Sequence, residues 1–63
     1  MSVKDQIRFL DIAKGSAAEF ATQTYIAMDI GYVDIGLGNE LIKTTDTLLA
    51  MLTRLQQAKQ EQK

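Results

Sequence analysis

Few side chains in this sequence are of the types that catalyse reactions or bind metals. Its 63 residues include no Cys and no His, which excludes thiolate nucleophiles and removes the commonest general base and transition-metal ligand. One polar stripe remains, because helical spacing places Ser16, Glu19 and Gln23 on the same side of a helix. The chemistry of this stripe depends on its carboxylate.

The carboxylate of Glu19 has two interpretations. Either it binds a ligand or takes part in catalysis, or it hydrogen-bonds to another helix and fixes how the helices dock. We favour the docking role, because no His is present and no second carboxylate lies four residues away. We therefore expect a protein that is not an enzyme, with no catalytic residues, no cofactor and no metal site.

Two further patterns have ordinary structural interpretations. Residues 36–39, Gly-Leu-Gly-Asn, precede a helical pattern, but no strand precedes them and no Lys follows at the spacing of a phosphate-binding loop. We interpret them as a turn.

Ala13, Ala17 and Ala21, with Gly15 nearby, form a patch of small residues that favours close approach of another helix. A cofactor cavity is the alternative for this patch.

The charge balance argues against strong nucleic-acid binding. Seven basic and eight acidic residues give a net charge of −1, whereas nucleic-acid-binding proteins usually carry a basic excess or a basic face. We expect the chain alone to bind nucleic acid weakly or not at all. The candidate contacts are Lys4, Arg8 and Lys14, since an oligomer would bring copies of them together in one ring.

Nothing in the sequence predicts export or membrane insertion. Lys4, Asp5 and Arg8 interrupt the first residues, which do not resemble a signal peptide. The longest uncharged stretch, residues 20–28, is much shorter than the ~20 residues of a membrane-spanning helix. The lack of Cys is compatible with a reducing compartment. We expect a cytoplasmic protein that has no membrane partner.

The apolar spacing predicts two helices, at about 3–30 and 39–60. Ser2 is a good N-cap for the first, and Gly31 supplies the left-handed conformation that ends many helices. Residues 31–38 contain three glycines and are predicted to form the turn. Asn39 is the expected N-cap of the second helix, and its polar tail from residue 56 to 63 is expected to fray.

An antiparallel helical hairpin of this length does not bury all its apolar residues. Both helices carry apolar rows wider than one seam, and a chain of this size without disulfides or metals usually needs oligomerisation. We predict an all-α protein whose hairpin assembles with other chains into a four-helix or larger bundle. The residues predicted to form the core and oligomer seam are Leu10, Ala13, Ala17, Phe20, Leu41, Leu48, Leu52 and Leu55.

The first helix and the turn resemble a known family. Residues 6–19 read Gln-Ile-Arg-Phe-Leu-Asp-Ile-Ala-Lys-Gly-Ser-Ala-Ala-Glu, and the pattern continues through Thr22-Gln23 and Ala27 to Ile30-Gly31-Tyr32. This resembles the four-helix-bundle family of 23S ribosomal RNA intervening-sequence proteins. Its members carry an aromatic-Leu pair near Ala-x-Gly-Ser, then Glu, a Gln or His, and Gly-Tyr at the helix end. The Leu-rich residues 41–55 are similar to the family's last helix.

The resemblance implies a domain organisation and a set of partners. Family members typically have two further helices before this region, so residues 1–63 are expected to form a single hairpin like the C-terminal half of such a bundle. The family is similar to the accessory variability protein of diversity-generating retroelements, which forms a ring of bundles, partners a reverse transcriptase and contacts nucleic acid.

Two function hypotheses follow. In the first, the chain is a non-enzymatic helical module that self-associates into a homo-oligomer. In the second, it is a nucleic-acid-associated accessory protein, a partner of ribosomal RNA or a reverse transcriptase. It would then contribute half of a bundle, with a separate N-terminal half as the other partner.

Overall fold

The computed structural model describes residues 1–61 and contains two helices, α1 (Val3–Asp29) and α2 (Ile35–Glu61), which pack against each other as a hairpin. The predicted all-α hairpin is therefore confirmed, and the first helix has nearly its predicted bounds. Ser2 caps α1, because its Oγ accepts a hydrogen bond from the backbone N–H of Asp5 at 3.1 Å.

The C-terminus of α1 is closed by Gly31, as predicted. This residue has a φ of 81°, which costs little only for glycine. The backbone N–H of Tyr32 donates to the carbonyl of Ala27 at 2.9 Å, and that of Gly31 donates to the carbonyl of Met28 at 3.2 Å. These two bonds form a Schellman motif, which satisfies carbonyls at the helix end and turns the chain back.

The second helix begins earlier than predicted. It starts at Ile35, not after Asn39, and residues 36–38 are helical. Asp34 is the cap: its Oδ2 accepts from the N–H of Leu37 at 3.2 Å, and its carbonyl accepts from the N–H of Gly38 at 2.8 Å. An Asp cap at the end of a tight turn outweighs the low helix propensity of two glycines.

The far end of α2 lies within one residue of its predicted bound at residue 60. The helix continues to Glu61, so residues 56–61 of the tail that we expected to fray are helical in the structure. The last residues of the predicted tail, Gln62 and Lys63, lie outside the described residues. This part of α2 packs on α1, because Gln56, which we assigned to the polar tail, is buried against α1.

The helices meet along a hairpin seam whose residues are spaced alternately by three and four, as in coiled-coil packing. Every seam residue is buried or half-buried. The hairpin seam consists of Val3, Ile7, Leu10, Lys14, Ala17, Ala21, Thr24 and Met28 of α1 with Gly38, Ile42, Thr45, Leu49, Leu52, Gln56 and Lys59 of α2.

The residues predicted to form the core and oligomer seam divide between two neighbouring rows. Of the eight predicted residues, Leu10, Ala17 and Leu52 lie in the hairpin seam, while the others lie in the adjacent row: Ala13, Phe20, Leu41, Leu48 and Leu55. The row that packs inside mixes large apolar side chains with small and polar ones. The small residues let the helix axes approach.

Within residues 1–61, neither helix combines the length and hydrophobicity required to cross a membrane.

Candidate protein-interaction surface

A polar cluster occupies the open end of the hairpin seam. The side-chain amide of Gln56 donates to the backbone carbonyl of Ile7 at 3.2 Å and to Oδ1 of Asp11 at 2.6 Å. Its Oε1 accepts from Nζ of Lys14 at 3.2 Å. Gln56 is 8% exposed, so these bonds replace the water that its amide loses. The cluster ties both helices together and fixes their register.

The middle of the hairpin seam buries hydroxyl groups and small side chains. Thr24 and Thr45 are each 5% exposed. Their Oγ1 atoms donate to the carbonyls four residues earlier, those of Phe20 at 2.9 Å and Leu41 at 2.8 Å. Among the described residues, Ala17 is the only buried residue with an apolar side chain. The large apolar residues of the seam, such as Leu10, Leu49 and Leu52, are half-buried, so the seam removes only part of their apolar surface from water.

Several large apolar residues lie beside the seam, on one side of the hairpin. One row from each helix, spaced alternately by three and four, forms this surface, which we call the uncharged face because none of its positions carries a charge. The uncharged face consists of Phe9, Ala13, Ser16, Phe20, Gln23, Ala27 and Ile30 of α1 and its cap, with Leu37, Leu41, Thr44, Leu48, Met51, Leu55 and Ala58 of α2.

Open grooves show that the two helices contribute to the same face. One groove lies near the middle of the hairpin. Its lining residues are Ala17 and Phe20 of α1 with Leu41, Thr44, Thr45 and Leu48 of α2. A second, at the open end, lies between Phe9 and Leu55. Since these residues come from both helices, the face is continuous across the hairpin.

The side chains of the uncharged face are highly exposed. Phe9 is 60% exposed, Ile30 62%, Met51 53% and Leu48 45%. Isolated exposed apolar residues are normal. A large contiguous apolar patch is rare on the surface of a monomeric protein and usually marks an interaction site. The exposure of this face therefore makes it the candidate interaction surface.

The opposite face of the hairpin carries charges of both signs. Lys4, Arg8 and Asp11 of α1 lie on this side with Lys43 and Asp46 of α2. The structure thus gives the hairpin one uncharged side and one charged side, with the hairpin seam between them. A surface of mixed charge is typical of solvent-facing helices.

The predicted polar docking stripe divides between two positions. Ser16 and Gln23 lie within the uncharged face, and Glu19 lies at its outer edge beside Ile12 and Ile26. All three stripe residues are exposed. Their polar groups are therefore available to a partner that covers the face.

The three candidate nucleic-acid contacts do not share one exposed surface. Lys4 and Arg8 are exposed on the charged side, with Asp11 one helical turn from Arg8. Lys14 is half-buried in the hairpin seam, where its ammonium group donates to Gln56.

Sequence reasoning missed two residues that the fold depends on. In the sequence, Gln56 belongs to a segment that resembles a polar tail. Only its position four residues after Leu52, which continues the seam spacing, would have indicated that its side chain is buried. The sequence places Gly38 in the predicted turn, but the residue is buried in α2. A Cβ atom built on Gly38 would overlap Sδ and Cγ of Met28. Its missing side chain permits the close approach of the helices near the turn.

Comparison with known proteins places the chain in a family. No curated protein and no solved structure matches it significantly. The family model described as 23S rRNA-intervening sequence protein matches residues 1–54. That match covers all of α1, the turn and most of α2, and with them most of the hairpin seam and of the uncharged face. The chain therefore belongs to the 23S rRNA-intervening sequence protein family.

Proposed function

We propose that this protein is a non-enzymatic interaction module that self-associates through its uncharged face into a bundle of at least four helices. The observation that carries the proposal is the exposure of large apolar side chains beside a seam whose most buried positions include polar groups. The hairpin seam holds Thr24, Thr45 and Gln56 in its buried positions, while the large residues of the uncharged face, such as Phe9 and Met51, stay exposed. A second helical layer would bury them.

The solvent-accessible area of the hairpin also supports self-association. The hairpin measures 46 × 15 × 12 Å between Cα extremes and exposes 4800 Å². A folded monomer of 7.0 kDa normally exposes about 4000 Å². The excess of about 800 Å² is what each partner contributes to a stable interface of standard size. Covering one long side of the hairpin would remove an area of this order.

Sedimentation equilibrium and circular dichroism, measured together between about 1 and 100 μM, test the proposal. We expect a mass above that of one chain and a helical signal that increases with concentration. Leu48→Asp, in the uncharged face, should lower the mass and the helicity together. The matched control is Ala50→Asp, which places the same charge two residues away on the charged side and should change neither. A helical monomer at these concentrations would refute self-association.

The nucleic-acid hypothesis has weaker support from the residues. The family name refers to ribosomal RNA, but Arg8 is flanked by Asp5 and Asp11 in adjacent helical turns, and Lys14 is engaged with Gln56. We expect weak binding without sequence preference. Fluorescence anisotropy with labelled RNA over a salt series checks this. Submicromolar binding near ~150 mM salt with a steep salt slope, lost in Arg8→Glu, would favour the accessory-protein role.

A further inference from the structure

We propose that Met28 is a modification site at which a peroxide loosens the hairpin, by converting a thioether packed between the two helices into a sulfoxide. The change acts on the packing of α1 on α2, so it occurs with or without self-association. The observation that carries the proposal is the contact between Met28 and Gly38, where the methionine side chain occupies the space that a Cβ atom on residue 38 would need.

Methionine is the residue type that a peroxide attacks in this chain, which has three Met and no Cys. In the reaction, one oxygen of hydrogen peroxide forms a bond to the thioether sulfur, the O–O bond breaks, and the other oxygen leaves as water. The sulfur is oxidised and the peroxide is reduced. Methionine sulfoxide reductases reverse the change, with one enzyme for each sulfoxide epimer. The modification is therefore covalent and reversible.

The three methionines have different surroundings. Met1 is 76% exposed and Met51 is 53% exposed, and both lie outside the hairpin seam. Met28 is half-buried within the seam. A sulfoxide at Met1 or Met51 adds its polar oxygen on the surface of the hairpin, where water solvates it. At Met28 the oxygen is added where the two helices meet, and only there does it act on the packing of the hairpin itself.

The contact between Met28 and Gly38 leaves no room for a larger group. A Cβ atom built on Gly38 would overlap Sδ and Cγ of Met28 and would lie 3.1 Å from its Cε, so the whole thioether group covers the glycine. Methionine fits this space because its side chain is unbranched and flexible. A sulfoxide oxygen that enters the contact pushes α2 away, and one that turns to solvent draws the side chain out. Both lose packing at Gly38.

Met28 also belongs to the motif that closes α1. Its carbonyl accepts a hydrogen bond from the N–H of Gly31 at 3.2 Å, and the N–H of Gly38 donates to the carbonyl of Asp34 at 2.8 Å in the first turn of α2. The side chain of Met28 thus joins the last turn of α1 to the first turn of α2. Loss of its packing therefore acts on the region where the chain reverses direction.

Peroxide oxidation of the Met51→Leu variant, followed by peptide mapping and thermal melts, tests the proposal. This variant removes the methionine of the uncharged face, so any effect of oxidation on self-association through that residue is absent. Mass spectrometry gives the sulfoxide fraction at Met1 and Met28 over time, and circular dichroism gives Tm at one fixed protein concentration. We expect Tm to fall by roughly 5–10 °C as Met28 is converted. Treatment with both reductases should restore it.

The matched control is Met28→Leu combined with Met51→Leu, which keeps Met1 and should change Tm by no more than a few degrees on oxidation. An equal decrease in both proteins would overturn the proposal. So would an unchanged Tm in the Met51→Leu variant after full conversion of Met28, or a Met28 that stays reduced after Met1 is fully oxidised. If the control does not fold, the time course decides, because a decrease in Tm that follows Met1 and not Met28 also overturns the proposal.

Gly38→Ala, made in the same Met51→Leu background, gives a second readout that does not depend on stability. The added methyl group displaces Met28 from its contact and exposes the sulfur, so Met28 should be oxidised severalfold faster while the rate at Met1 is unchanged. Equal rates at Met28 with and without Gly38→Ala would show that Gly38 does not shield the sulfur, and the assigned contact would be wrong.

Discussion

Replacing Gln56 with Ala removes three hydrogen bonds at the open end of the hairpin seam. The amide donates to Ile7 and Asp11 and accepts from Lys14. A hydrogen bond contributes about 1 kcal/mol net, and more when one partner is charged. Because the charged partners are partly exposed and regain water, we discount the sum to about 2 kcal/mol. For a domain of this size, that loss corresponds to a decrease in Tm of about 8–16 °C.

Thermal melts followed by circular dichroism measure this loss, at one fixed protein concentration because association is linked to folding. Gln57→Ala is the matched control, since Gln57 is the adjacent residue with the same side chain and is exposed. We expect the control to change Tm by no more than a few degrees. If the two variants melted within about 0.5 kcal/mol of each other, Gln56 would not fix the helices, and our account of the open end would be wrong.

Three further predictions concern the helix ends and the seam. Gly31→Val should cost about 1–2 kcal/mol in thermal melts, because β-branched residues tolerate a positive φ poorly. Gly38→Ala should cost less, because about 1 kcal/mol of gained helix propensity offsets its overlap with α1. The reverse ranking would contradict the proposed cap. Asp34→Ala should lose about 1 kcal/mol of stability and Asn39→Ala almost none, and equal losses would mean that α2 begins elsewhere. Leu52→Asp should dissociate and unfold the protein together, since an unpaired carboxylate in the seam costs several kcal/mol. A fully helical Leu52→Asp variant, measured by circular dichroism, would show that the seam is misassigned.

Local chemistry in the sequence was sufficient to predict the helical hairpin and both ends of its first helix. Ser2 has the side chain that caps a helix, and Gly31 is the residue that best tolerates the left-handed conformation at its end. Each residue acts only on the backbone a few positions away, so its effect does not depend on the rest of the fold. The family resemblance, carried by residues 6–32, was confirmed for the same reason: its pattern lies in one continuous helix and its turn.

Only the packed structure decided which stripe of each helix faces inward. Both rows of α1 are apolar enough to face inward, yet the helices pack through the rows that contain Ala17, Thr24 and Thr45. The sequence determines how apolar each row is, but the energy of a contact also depends on how closely the opposing backbones approach. Small residues and a buried amide make that approach favourable only when the second helix is present. The same tertiary contact buries Gln56, whose polar side chain gives no sign of burial, and leaves the row of Phe20 and Leu48 on the surface.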